Sequence, residues 1–386
     1  MRPELIIAEK EFRDHVTSKR FVVIFGIMLL LGIYAINSGM DSYNRQLDQY
    51  KEQKDTTNPD TQRIIQSYQQ RIHETEERGD SPQLIQELQD DLDRYLNPPM
   101  PSILQIFQSM IILFIYLGMV LGASLGFDQI AREKDEGSLK FLVASPIYRD
   151  AIVNGKTIGA MAALACAMIA AFSITIAIVM LRGVVPGAED LIRIFLFFLV
   201  SMLYCTVFFA LAMMVSSLSK NAAVAAIMTV GVIFLIFIYT ITASWLSYTI
   251  AKGIVGPAPQ DEYPYAPSVI DNASIENGTV NYQIYTSFED TERSKYLNRL
   301  SATQAEITDL LETFSPIYDY GMYNDNTHMG IGYTMILKED TMANPIRHIS
   351  LLDSLAASWL KVLSMIVEIV AAFGVAYIVF MRVDVR

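Results

Sequence analysis

Residues 128–157, DQIAREKDEGSLKFLVASPIYRDAIVNGKT, govern how the rest of the chain is read. They are mostly polar and sit between two long apolar runs, so they form a loop at one membrane face. A charged helix start, Asp128 to Glu136, gives way to a short amphipathic segment, Ser138 to Ala144. Pro146 then makes a turn, and a second charged helix start leads into the next apolar run. A projecting amphipathic element of this kind suits docking into a groove of a soluble partner.

Outward from this loop, the 386-residue chain is 52% hydrophobic and only 18% charged. The apolar residues are gathered in runs, and about 20 helical residues cross ~30 Å of hydrocarbon. Six runs qualify: 21–38, 103–127, 157–181, 192–218, 222–246 and 359–381. They are unbroken rather than alternating, so helices and not barrel strands satisfy their backbone in lipid. The expectation is an all-α polytopic membrane protein with six transmembrane helices. Met1–Arg20 is long, mixed in charge and amphipathic, unlike the short basic start of a cleaved leader, so the first run is expected to stay.

Basic residues set the orientation. Segments 1–20, 128–156, 219–221 and 382–386 are rich in Lys and Arg, whereas the short loop 182–191 and its neighbour offer only Arg182 and Arg193. The positive-inside rule places both termini and the 128–156 loop in the cytoplasm of a plasma-membrane protein. The net charge of −12 comes from the opposite side, with −6 over 39–102 and −9 over 247–358, which argues against nucleic acid as a partner.

Segment 1–20 reads as an amphipathic interfacial helix, with Leu5, Ile6, Phe12 and Val16 at near-helical spacing. Segment 39–102 reads as a helical extracellular domain, broken at Asn58-Pro59 and restarted at Ser81-Pro82. Segment 247–358 reads as a mixed α+β or irregular extracellular domain, helical over 292–314 and rich in Pro, Gly, Asn and Tyr on either side.

The two cysteines, Cys166 and Cys205, lie inside spans and offer no disulfide framework. Asn272 and Asn277 are sequons on the outer side and are candidate glycosylation sites. Met322, His328 and Met329 lack a repeated ligand spacing and read as a surface loop, so no metal site is expected. Gly155-Lys156-Thr157 imitates the end of a phosphate loop, but position 150 is Asp and the stretch enters a span rather than leaving a strand. No ATPase and no catalytic residue are expected in the chain. Gly118, Gly122 and Gly126 recur at four-residue spacing as a ridge for close helix packing, within the subunit or at a dimer seam. Glu368 lies mid-span in the sixth helix, where a carboxylate is costly and marks a substrate path, an ion site or a hydrogen-bonded neutral acid.

The stretch EKDEGSLKFLVASPIYRDAIVNGKTIG resembles the loop of the type-2 permeases of ATP-binding-cassette (ABC) exporters. Glu133 and Glu136 stand for that family's acidic pair, and Gly137-Ser138-Leu139 for its Gly-Thr-Leu. Ser145-Pro146, Arg149 and Gly155-Lys156 complete the pattern, with Ser138 in place of Thr as the departure. The six-span layout and SSLSKNAA before the fifth span fit as well. The two large insertions look closest to the branch that includes permeases for copper-enzyme maturation. The resemblance implies a coupling helix seated in a nucleotide-binding subunit. Leu139, Phe141 and Leu142 would be its apolar anchors, Glu133, Asp135, Glu136 and Lys140 its orienting charges, and Pro146 its turn. It also implies a separate ABC ATPase partner that carries ATP and Mg, a permease homodimer or heterodimer in membrane lipid, and no cofactor on this chain.

The expected function is therefore the permease subunit of an ABC exporter. The alternative is a membrane scaffold or sensor whose ectodomains recognise a ligand without transport. A carrier driven by an ion gradient normally shows internal repeats or interrupted spans, which this sequence lacks.

Overall fold

The computed structural model describes residues 3–55, 57–79, 82–98, 100–137, 148–258, 274–276, 279–281, 292–313, 315–321, 323–324, 328–337, 339–340 and 347–382. Six helical stretches among them are long and apolar enough to cross a membrane. The architecture is all-α and polytopic, and the described strands are short two-stranded ladders in the second insertion.

Helix α1 (Pro3–Val16) precedes the first span, α2 (Lys19–Lys54), and Ser18 caps α2 by accepting from the Phe21 N–H at 3.2 Å. Helix α2 runs well past its apolar part into the first insertion. There α3 (Pro59–Arg78) and α4 (Pro82–Leu96) form a hairpin against it. Asn58 caps α3 with Pro59 in its first turn, and Gly79 ends it at φ 71°.

The second span is segmented. It opens with a 3-10 turn, Ile103–Phe107, and continues as α5 (Gln108–Leu113), a π turn, Phe114–Gly118, and α6 (Met119–Gly126). After a short turn comes α7 (Ala131–Asp135). The third span is α8 (Arg149–Leu181), the fourth α9 (Ala188–Leu218), the fifth α10 (Ala222–Val255) and the sixth α14 (Leu351–Met381). Between the last two lie α11 (Glu292–Glu312), α12 (Pro316–Gly321) and α13 (Ile331–Ile336).

The second and fourth spans form the centre of the bundle, each 61% buried over its most apolar window, against 17% for the fifth and 22% for the sixth. Gly118, Gly122 and Gly126 lie against the fourth span of the same subunit. A Cβ at Gly122 would stand 2.2 Å from the Cys205 carbonyl oxygen, and one at Gly126 2.5 Å from that of Phe209. Backbone thus meets backbone, as small residues allow in membrane helices.

Within 315–337 the second insertion forms the short helices α12 and α13 with a short ladder between them. Helices α12 and α13 tuck into the bundle from the face opposite the 128–156 loop. Tyr320 is fully buried, and its ring stacks on Tyr204 of the fourth span at 4.4 Å. Ser201 donates to the Phe197 carbonyl at 2.8 Å, so in the 2.7 Å contact with Tyr320 the phenol is the donor. The Tyr204 hydroxyl in turn donates at 2.9 Å to the Ile115 carbonyl, inside the π turn. A wide turn frees backbone carbonyls, and this one finds its partner on the neighbouring span. Ser315 bonds Thr240 of the fifth span at 2.7 Å, and Ser364 of the sixth bonds Asp319.

Arg193 anchors the same face. It is 1% exposed, and its guanidinium meets Glu189 at 3.0 Å, the Ile349 carbonyl at 2.8 Å, and the Leu337 carbonyl and Ser354 hydroxyl at 3.3 Å. A buried guanidinium needs this many acceptors, and here they tie the fourth span to α13 and the start of the sixth.

Candidate functional site at the loop face

Helix α1 packs on the start of α8, where Gly155 and Gly159 leave room for it. A Cβ at Gly155 would stand 2.7 Å from Ile7 Cβ, and one at Gly159 2.6 Å from the Ala8 carbonyl oxygen. The face turned to α8 is Ile7, Ala8, Glu11 and Phe12, while Leu5 and Ile6 are exposed.

Helix α7 belongs to a different group. Ser216, near the end of the fourth span, accepts the Ile130 and Ala131 N–H groups at 3.0 Å each and so caps α7 from outside. Lys134 returns the favour. Its ammonium donates to the Ser217 carbonyl at 2.5 Å and the Ser219 carbonyl at 3.1 Å, satisfying the end of α9. The SSLSK sequence before the fifth span is therefore the seat of α7.

Three polar pairs cross from one group to the other. Lys156 on α8 has a side chain only 5% exposed and meets Glu11 at 2.7 Å and Glu133 at 2.8 Å. The Gln129 amide nitrogen donates to His15 Nε2 at 2.6 Å and to the Leu125 carbonyl at 3.0 Å. An amide nitrogen only donates, so His15 Nε2 accepts and the ring is neutral with its proton on Nδ1. Burial pushes the His15 pKa below its ordinary value, more strongly than the Glu11 and Asp128 charges raise it. Arg20 pairs with Asp128 at 2.5 Å and lies over the Phe127 ring at 5.0 Å. Between the groups lies an open cavity of about 630 Å³.

The expected loop residues separate here. Glu133 turns inward onto Lys156 instead of lying on a partner-facing surface. Glu136 stays exposed and pairs with Arg132 at 2.8 Å, and Gly137 takes φ 71° as the chain leaves α7. Asp135 closes α7. Arg149 opens α8 and donates at 3.0 Å to the Met381 carbonyl, which brings the end of the sixth span to the same face. Ser138, Leu139, Lys140, Phe141, Leu142 and Pro146 lie outside the described residues, as do Asn272, Asn277 and Met322. His328 and Met329 pair with Asn324 and Tyr323 in a short ladder. Glu368 sits on the sixth span within electrostatic reach of Asp319 on α12, and its Oε2 has no hydrogen-bond partner among the described residues.

In the sequence Lys156 belongs to a Gly-Lys pair and to a phosphate-loop imitation, and no local pattern singles out His15 or Gln129. A charged residue inside the α8-facing stripe of α1 was the available signal for Glu11.

Six spans, two large insertions and a loop anchored at its ends on two helix groups define a polytopic membrane protein. The model of the ABC-2 family transporter proteins matches residues 5–385, and the chain belongs to that family. It is an ABC transporter permease, a multi-pass membrane subunit of a family that generally works with an ABC ATPase. No curated protein matches the chain.

Proposed function

We propose that this permease serves export, and that a separate ATPase grips it through the 128–156 loop on the cytoplasmic face. The carrying observation is the anchoring at the two ends of the loop. One end is α7, seated on the fourth span by Ser216 and Lys134, and the other is α8, seated against α1 by Gly155 and Gly159. A partner that moves the loop therefore acts on two helix groups joined by polar pairs beside an open cavity, and such pairs slide more readily than interlocked apolar side chains. ATP with Mg bound by the partner closes the nucleotide-binding subunits, and that closure shifts the groups and alternates access for substrate. Two permeases, identical or related, pair with two ATPase subunits. The cytoplasmic placement is supported by the Lys and Arg of the 128–156 loop and of segment 1–20.

Co-purification tests this. Changing Leu139, Phe141 and Leu142 together to Asp is expected to abolish association with the cognate ATPase while the permease still inserts. Association that persists, or labelling that finds the loop outside the cell, sinks the proposal.

A further inference from the structure

The cavity at the loop face has a charge profile that changes with depth. Its floor holds Lys156 between Glu11 and Glu133, with side chains 5%, 11% and 12% exposed, so two carboxylates share one ammonium. Gln129, 4% exposed, lines the same cavity. Both of its amide N–H donors are used, and its Oε1 has no hydrogen-bond partner among the described residues. The floor therefore has a surplus negative charge and a spare acceptor.

The rim carries both signs, with Lys10, Arg20 and Arg132 beside Asp14, Asp128 and Glu136. Arg20 is half exposed, and among the described residues only its Nη2 is engaged, by Asp128, which leaves the donors on Nη1 and Nε open. Lys10 stands on the same rim. Arg20 rests on Phe127 at the end of the second span, and Phe21 of the first span also lines the cavity. Basic residues at the ends of apolar spans commonly meet lipid headgroups.

A simple anion is a poor fit, because Asp14, Asp128 and Glu136 line the cavity besides the two floor carboxylates. A zwitterion with its cation inward and its anion outward matches both layers. We infer that this cavity binds a phosphoethanolamine group, its primary ammonium donating to the Gln129 oxygen and the floor carboxylates and its phosphate held by Arg20 and Lys10. A primary ammonium offers three N–H donors, whereas the trimethylammonium of phosphocholine offers none, so the floor discriminates between them. The group can come from a membrane phosphatidylethanolamine or from a soluble phosphoethanolamine, and the site chemistry is the same for both.

Native mass spectrometry on delipidated, detergent-purified protein tests the inference. The probes are dioleoyl phosphatidylethanolamine, the matching phosphatidylcholine and phosphatidylglycerol, and soluble phosphoethanolamine. One charge-assisted hydrogen bond predicts that the ethanolamine lipid is retained about tenfold better than the choline lipid. Gln129→Met and, separately, Glu133→Gln are expected to erase that preference in protein that elutes and melts as a folded species. Glu133→Gln still offers Lys156 a neutral partner, and Gln129→Met removes the acceptor without touching the charges. Binding of the lipid alone assigns the membrane as source, and competition by soluble phosphoethanolamine assigns the aqueous phase. Equal retention of the two lipids, binding of neither ethanolamine probe, or a preference that survives in both folded variants overturns the inference.

Discussion

Gly122 supplies the sharpest test of how the second and fourth spans are held together. A methyl group there would stand 2.2 Å from the Cys205 carbonyl oxygen and 3.3 Å from the Phe209 nitrogen. Ordinary C···O contacts are about 3.3 Å or longer, so Gly122→Ala must part the two backbones by about 1 Å. Neither neighbouring atom is the free end of a side chain, so neither can swing aside. A gap of that size forfeits roughly a quarter to a half of each dispersion contact along the seam, and overpacking of this kind costs about 1–3 kcal/mol. Gly374 of the sixth span is the control, because nothing lies within 4 Å of a Cβ built there. Gly374→Ala should be neutral or stabilising, since Ala is favoured over Gly in a helix by about 0.8–1.0 kcal/mol. The assay is the melting midpoint of both purified variants in one detergent. Gly122→Ala should melt below the parent and Gly374→Ala at or above it. Equal midpoints for the two variants would falsify the argument from close approach.

The other perturbations act on the polar pairs. Lys156→Met removes the ammonium that Glu11 and Glu133 share and should destabilise by about 3–5 kcal/mol in denaturant unfolding, whereas Glu11→Gln should cost far less because Glu133 remains on Lys156. Acidification should loosen α1. The folded His15 pKa lies below its unfolded value, so its contribution is full above the unfolded pKa, near 6.5, and is lost as pH falls through the folded one. Protonation also removes the acceptor for Gln129, and Glu11, Asp128, Lys156 and Arg20 are the charges that face the ring. Proteolysis at Arg13 should therefore rise on going from about pH 7 to about pH 5, and His15→Asn should flatten that rise. Arg193→Met removes one hydrogen bond to Glu189, one to Ser354 and two to carbonyls, each worth about 1.5–3 kcal/mol, and should expose the second insertion to protease while leaving α1 protected.

The membrane architecture was legible because a helix in lipid must be apolar along its whole length, and runs such as 192–218 state that directly. The glycine ridge was legible as a packing surface, since four-residue spacing puts Gly118, Gly122 and Gly126 on one side of a helix, but not as facing the fourth span, which depends on tertiary partners. Helices α12 and α13 were hidden because six residues are too few to show a 3.6-residue period, and neighbouring spans supply their burial. The Lys156 cluster was hidden by distance along the chain, as Glu11 lies 145 residues away. A buried ion pair has no local spacing rule, and the Gly-Lys-Thr context drew attention to phosphate instead. Glu133 shows the converse. Its place in the loop pattern suggested an outward role, while the start of α8 offered it a cation.

The π turn at Phe114–Gly118 sets the angular phase of everything below it in the second span. A π turn holds one residue more than an α turn, so a one-residue deletion at Tyr116 that closes it would leave the helix below in the same phase. An α-helix advances about 100° per residue, so a substitution that straightens the turn without changing its residue count would swing the lower half of the span by that angle. Gly122 and Gly126 would then leave their backbone contacts, and α7 would be carried off its Ser216 seat. The irregular turn is thus a clocking device: the bundle tolerates the loss of its extra residue far better than a change in its winding.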